Sequence, residues 1–351
     1  MIFNQIDILG FRGIKEAHIN GLKNVNLFFG RNNCGKSSVL DAVFLISGLS
    51  NPKLPFNINI LRDYRKLGRK DIALDFYGLD TTKPISIAAK NGETRRLKIN
   101  LLQTSDTEID LLDKDNNVAS SQTDNKYGLM LDYEIEGNTY RSDIVFVKDV
   151  NGDSVKQEVH IDGKYDERLS CRYLNSKFDF YTSIDGLVNI LKNKDEKFVI
   201  DALRIIEPKL QDFVLSEREV LVDIGMSQRI PINMMGDGAR KLLAILTTIY
   251  ECADGIVLID EISNGFHYSV MGRLWTSIIE AARKNRVQVF ATTHDKDSIK
   301  GLRDAVRTTS IDNKNSVASF KLQKTKNDAL KAYHYSFESL DYSLNQEIEI
   351  R

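Results

Sequence analysis

The sequence predicts an α/β fold with a mixed β-sheet core, an antiparallel β portion and a small inserted helical element, and three stretches carry that prediction. The first is FFGRNNCGKSSVL, Phe28 to Leu40, where two apolar aromatics close a strand, Gly30 opens a turn, and Gly35, Lys36 and Ser37 lead into an apolar helix. The second is GIVLIDE, residues 255 to 261, four apolar residues of a buried strand running into Asp260 and Glu261. The third is VQVFATTHD, again a buried strand, which runs to His294. Helical segments separate the three strands, the spacing of a parallel core.

The bulk properties bound the function. With 351 residues the chain can bury a large core. Lys and Arg number 48 against 49 Asp and Glu, a net charge of −1, so any contact with DNA must be local. No run of eighteen apolar residues occurs. The N-terminus MIFNQIDILG has neither a basic leader nor a long apolar core, so the sequence predicts no membrane contact, no secretion signal and a cytoplasmic location. Cys34, Cys171 and Cys252 are odd in number and far apart, which fits a reducing compartment.

In chain order, the first 29 residues read as strands, with Arg12 between Gly10 and Gly13 either a solvated turn arginine or a functional one. KSSVLDAVFLISGL, residues 36 to 49, is a helix stopped by Asn51-Pro52. LRDYRKLGRKD places Arg62, Arg65, Lys66, Arg69 and Lys70 around Tyr64, either a local phosphate-binding patch or a solvated helical face. From Asp71 to His160 short runs beginning with IALDFYG read as strands of an antiparallel sheet, with a polar, mobile loop near 103–126. Residues 184 to 213 have helical spacing in two pieces, and no heptad pattern is sustained, which excludes a coiled-coil arm. The expected organisation is one unit with an N-terminal lobe (1–70), a β-rich region (71–183), a helical insertion (184–225) and a C-terminal lobe (226–351).

The chemistry sits at the strand ends. GRNNCGKS fits G-x-x-x-x-G-K-[ST], a P-loop: its glycines let backbone N–H groups curl inward at phosphates, Lys36 reaches the β/γ oxygens, and the Ser37 hydroxyl can ligate Mg2+. Cys34 lies beside a helix N-terminus, where its thiol pKa should fall, unless it is only a small residue that fits a tight loop. Gly236-Asp237-Gly238 begins the helix of IPINMMGDGARKLLAILTTI, an anion site by construction, or a helix start that Asp237 caps. Asp260 would hold a metal through water, Glu261 would polarise an attacking water, and His294 would touch the γ-phosphate or be a satisfied structural histidine.

Together GRNNCGKSS, MGDGARKLLAIL, IVLIDE and ATTHD resemble the Walker A, signature, Walker B and H-loop motifs of an ABC-type ATPase head. More closely, the chain resembles the bacterial AAA-domain proteins related to the OLD, RecF and SMC heads, from Phe11 to Arg351. That resemblance implies ATP and Mg2+ held between two copies of the chain: Arg12, Asn32, Asn33, Cys34, Gly35, Lys36, Ser37, Ser38, Asp260, Glu261 and His294 act from one copy, and Gly236, Asp237 and Gly238 from the other. It further implies a homodimerising ATPase switch that controls a separate nuclease or toxin in phage defence or DNA maintenance. A RecF-like DNA-gripping ATPase and a non-hydrolysing scaffold are the competing readings. Three departures stand out: Gly236 replaces the signature serine, no glutamine lies between Val39 and Leu102 to line the metal and water, and ISNGFH after Glu261 differs from the common D-loop.

Overall fold

A computed structural model of the protein describes residues 2–62, 64, 69–103, 126–148, 155–175, 183–217, 219–308 and 314–346. Strands β1 (Gln5–Phe11) and β2 (Ile14–Asn20) form a hairpin, and β3 (Val25–Phe29) feeds the glycine loop and helix α1 (Lys36–Ser47). Helices α2 (Leu54–Leu61) and α3 (Arg69–Ile72) lead into β4 (Ile85–Asn91), β5 (Glu93–Gln103), β6 (Lys126–Ile135), β7 (Asn138–Lys148) and β8 (Val155–His160). Then come β9 (Cys171–Leu174), α4 (Ile184–Lys192), α5 (Glu196–Leu203), β10 (Asp212–Ser216), β11 (Glu219–Asp223) and β12 (Ile230–Pro231). The C-terminal portion is α6 (Asp237–Glu251), β13 (Ile256–Ile259), α7 (Met271–Lys284), β14 (Gln288–Thr293), α8 (Lys296–Thr308), β15 (Val317–Lys324), β16 (Ala329–Tyr335) and α9 (Phe337–Asn345).

Thirteen strands share one sheet in the order β8-β7-β6-β5-β4-β1-β2-β16-β15-β3-β14-β13-β9, while β10, β11 and β12 form a second, antiparallel one. From β15 to β9 the main sheet is parallel; from β8 to β2 it is antiparallel. The β-rich region is therefore continuous with the core through the β4–β1 pairing. β3 is buried on both faces because Val25, Leu27 and Phe29 pack under α4 to α8 while Phe28 packs with the apolar face of α1. A strand covered on both sides reads as an unbroken apolar run, as VNLFF does.

Two expectations from sequence change. IALDFYG is not a strand: α3 passes into two tight 3-10 turns, Ala73–Asp75 and Tyr77–Leu79, because Asp75 is drawn into the interior by Arg12. Residues 212–223 are a β-hairpin and not helix, with Phe213, Val220 and Val222 buried at alternating positions. The loop near 103–126 lies almost wholly outside the described residues. Among those residues the longest helix, α6, has 15 residues, and no helix is long and apolar enough to cross a membrane.

Candidate nucleotide site

The loop after β3 is shaped by close approach. At Gly30 a Cβ would lie 2.5 Å from the Leu322 carbonyl oxygen and 3.0 Å from Cys34 Sγ, so no side chain fits. Asn33 (φ 59°) and Gly35 (φ 102°) adopt left-handed backbone, which curls the loop over the start of α1. Asn32 and Asn33 are exposed, Ser37 and Ser38 half-buried, and Cys34 and Lys36 buried. Lys36 Nζ donates to the carbonyl oxygens of Gly30 and Arg31 at 3.2 Å each and lies 3.9 Å from Glu261 Oε1.

The three strand ends meet here. Ser37 Oγ donates to Asp260 Oδ1 at 3.0 Å. Thr292, on β14, donates its hydroxyl to the same Asp260 oxygen at 2.5 Å and accepts the Glu261 N–H at 2.8 Å. One hydroxyl thus pins both acidic residues. Glu261 has φ 51°, a left-handed conformation that costs a non-glycine residue about 1–2 kcal/mol, so its backbone must be held from outside. His294 Nδ1 lies 2.7 Å from Glu261 Oε2. A carboxylate only accepts, which assigns the Nδ1 proton to the histidine.

Ser37 and Asp260 offer hard oxygen donors side by side, and Asp260 is only 8% exposed. Among the described residues no cluster of three or more His, Cys, Asp or Glu side chains could hold a metal ion. A hydroxyl and one carboxylate fit Mg2+, which keeps waters and takes phosphate oxygens to complete its shell.

Two expectations about side chains change. Arg12 is not solvated: its side chain is 13% exposed, with Nη1 on Asp41, Nε 3.0 Å from Asp75 Oδ1 and Nη2 2.6 Å from Asn59 Oδ1. Cys34 is not acidified: burial pushes its thiol above the usual range and outweighs the opposing pull of Lys36. The helix-terminus argument failed there because desolvation of a thiolate is the larger effect.

Asp41, one turn beyond Ser37 on α1, is fully buried. Besides Arg12 it receives Arg62 Nη2 and the Tyr173 hydroxyl, the latter at 3.1 Å. Arg62, its side chain still 39% exposed, thus spends one guanidinium nitrogen on Asp41. Lys70 is exposed, whereas Arg65, Lys66 and the side chain of Arg69 lie outside the described portion. A cavity of about 210 Å³ runs from this cluster to Asp260, lined also by Tyr173 and Asn175. A larger one, about 590 Å³, lies over the cross-strand ion pairs Arg96–Glu134 and Arg141–Asp132 of the antiparallel strands; its lining includes none of the loop residues.

Asn175 and Thr292 are the residues sequence reasoning missed. Asn175 directly follows β9, the strand that pairs with β13; its Nδ2 donates to the Leu61 carbonyl at 2.7 Å, and its Oδ1 is buried with no partner among the described residues. It lies after the short strand CRYL, well beyond the Val39–Leu102 stretch that lacks a glutamine. Thr292 was inside the quoted ATTHD motif, but only the side-by-side pairing of β13 and β14 reveals its two bonds.

Gly236 and Asp237, by contrast, are exposed at the start of α6, and Asp237 caps nothing, since the N-cap is Gly236 with φ −62°. Gly238 is buried, and a Cβ there would lie 3.2 Å from the Gly265 carbonyl oxygen. A Cβ on Gly236 would meet nothing within 4 Å.

The chain is similar to known proteins in sequence and in fold. Residues 25–299 match the sequence family described as "AAA domain, putative AbiEii toxin, Type IV TA system". An "ATP/GTP phosphatase" of Helicobacter pylori is 22% identical over 333 residues, 87% of this chain and 89% of that protein. A stretch of 62 residues is 32% identical to the DNA replication and repair protein RecF of Bacteroides fragilis, 18% of this chain and 17% of RecF. In fold, the chain is similar to a crystal structure of the SmcHead bound to the C-winged helix domain of ScpA, with a TM-score of 0.51 at 12% identity, covering 97% of this chain and all of that one.

Proposed function

We propose that this chain, which belongs to the AAA-domain family that its residues 25–299 match, is an ATP-hydrolysing switch that closes as a dimer over its nucleotide. The convergence of Lys36, Ser37, Asp260, Glu261 and His294 around the glycine loop carries the reading. The relative named for phosphatase activity on ATP and GTP supports hydrolysis.

In this reading the loop N–H groups and Lys36 bind the phosphates, with Lys36 exchanging its loop carbonyls for phosphate oxygens. Ser37 and Asp260 would hold Mg2+, which neutralises charge on the phosphate oxygens. Thr292 fixes Asp260 and the Glu261 backbone. Glu261 accepts a proton from water, while His294 orients its carboxylate through Nδ1. Asn175, which lines the same cavity as Asp260 and whose buried Oδ1 has no partner among the described residues, orients that water.

Gly236 supports the dimer. Its backbone conformation suits any residue and its surroundings are open, so the fold of one chain gives no reason for glycine. That openness leaves the α6 N-terminus accessible to a phosphate bound by a second copy. The exposed Met234, at 75%, suits the same contact. The toxin–antitoxin name of the family favours a nuclease or toxin as the effector, in anti-phage defence. Direct DNA gripping has less support, since Arg62 is spent on Asp41.

The test is Glu261→Gln. ATP turnover should fall by roughly two orders of magnitude, the scale of a lost general base, while light scattering after gel filtration shows an ATP-dependent dimer that outlives the wild-type one. A variant that turns over ATP normally, or never dimerises, rejects the proposal.

A further inference from the structure

Lys241 lies one turn into α6 and is 7% exposed. Its ammonium faces no carboxylate oxygen within ion-pairing distance among the described residues. Instead Nζ donates to the carbonyl oxygens of Glu261 at 3.2 Å, Ile262 at 3.3 Å and Asn264 at 2.8 Å, which uses all three of its donors on the loop that follows β13. The ring of Phe266 lies 5.4 Å away. Burial lowers the Lys241 pKa to about 8, against the pull of Glu261 and Asp260, so the charge is kept there at a cost. A methionine or leucine would fill the same space without it.

The carbonyl it grips belongs to the residue with the left-handed backbone, Glu261. The loop meets α6 a second time where Gly238 approaches the Gly265 carbonyl. The first turn of α6 and the backbone of residues 261–265 are thus joined at two places, one packed and one hydrogen-bonded. Glu261 is attached to three elements: to β14 through Thr292, to the residue after β14 through His294, and to α6 through Lys241.

We propose that Lys241 is a positioning residue that ties the exposed glycine end of α6 to Glu261 of the same chain. The idea rests on the dimeric reading above and deepens it. α6 of one copy contacts the nucleotide bound by the other, and its lysine passes that contact to the Glu261 that serves its own nucleotide. The two sites of the dimer are linked through this side chain, each filling of one setting the carboxylate of the other.

The experiment compares Lys241→Met and Lys241→Gln with the wild type and with Glu261→Gln, singly and combined, by steady-state ATP turnover and by affinity for a fluorescent ATP analogue. The expected result is a kcat lowered about tenfold or more, with analogue affinity changed less than about twofold. Combined with Glu261→Gln, Lys241→Met should lower the residual turnover no further, because both changes act through one carboxylate. Loss of analogue binding in parallel with turnover in both Lys241 variants would make the lysine a structural residue and overturn the proposal. Losses that multiply with Glu261→Gln would overturn it too. Normal turnover in Glu261→Gln alone would instead remove the reading of Glu261 on which it rests.

Discussion

Replacing Arg12 by methionine separates two roles for that arginine: holding buried carboxylates or touching the nucleotide. Arg12 bonds to Asp41, whose side chain is 0% exposed, and to Asp75, whose side chain is 5% exposed. Without it Asp41 keeps Arg62 and the Tyr173 hydroxyl, while Asp75 keeps the Asn59 amide at 3.2 Å. Breaking a buried ion pair by removing one partner costs about 3–5 kcal/mol. At about 2–4 °C per kcal/mol, Arg12→Met should melt about 6–20 °C lower. The deficit also has a pH signature. Burial holds Asp41 above its unfolded pKa, against the lowering pull of Arg12 and then Arg62. A carboxyl with a raised folded pKa contributes fully below its unfolded value of about 4 and loses that contribution as pH rises through the folded one. Removing Arg12 raises the folded value further, so the variant's deficit should be smaller at pH 5 than at pH 8. Thermal melts by circular dichroism at the two values, with ATP affinity measured in parallel, decide the matter. A melting point within 2 °C of wild type combined with a tenfold loss of ATP affinity would refute the structural reasoning and place the guanidinium on the nucleotide.

Gly236→Asp should leave the melting point unchanged, because nothing lies within 4 Å of the new Cβ, yet abolish ATP-dependent dimerisation in light scattering; a dimer of wild-type strength would count against a composite site. Cys34, whose thiol burial raises, should be alkylated by iodoacetamide at pH 7.5 more than about tenfold slower than a free cysteine, and at the ordinary rate once the chain is denatured. Peptide mass spectrometry reads both rates, and fast modification of the folded protein would contradict the burial argument.

The parts legible in the sequence are those governed by local pattern. VNLFF before a glycine turn, IVLI before two carboxylates and VFATT before a histidine are strands buried on both faces, and each brought its polar end to the same edge of the sheet. What stayed hidden depends on partners distant in sequence. Arg12 read as a turn arginine because its flanking glycines are local, whereas Asp41 and Asp75 lie 29 and 63 residues away. Asp75 in turn converts a strand-like run into a 3-10 turn. The contacts of Lys241 are hidden because its three acceptors are backbone oxygens, which no side-chain pattern announces. Of the two readings open for Cys34, a lowered pKa or a small residue that fits a tight loop, burial decides for the second, and burial of a single loop atom is not a property of its neighbours in the chain.

The position of β3 in the sheet bears on how the molecule is made. Residues 25–29 are synthesised long before the strands that flank them, β14 and β15, which are residues 288–293 and 317–324. The Asn26 amide bonds to the carbonyl of Val289, 263 residues further on. At about 5–20 residues per second, the loop strand waits roughly 13–50 s of synthesis before its first neighbour exists. Such distant parallel pairing is also slow to form and leaves apolar edges open meanwhile. The phosphate loop can therefore take shape only once residues 288–324 have been translated, so a product truncated before them would carry the motif without the capacity to bind nucleotide.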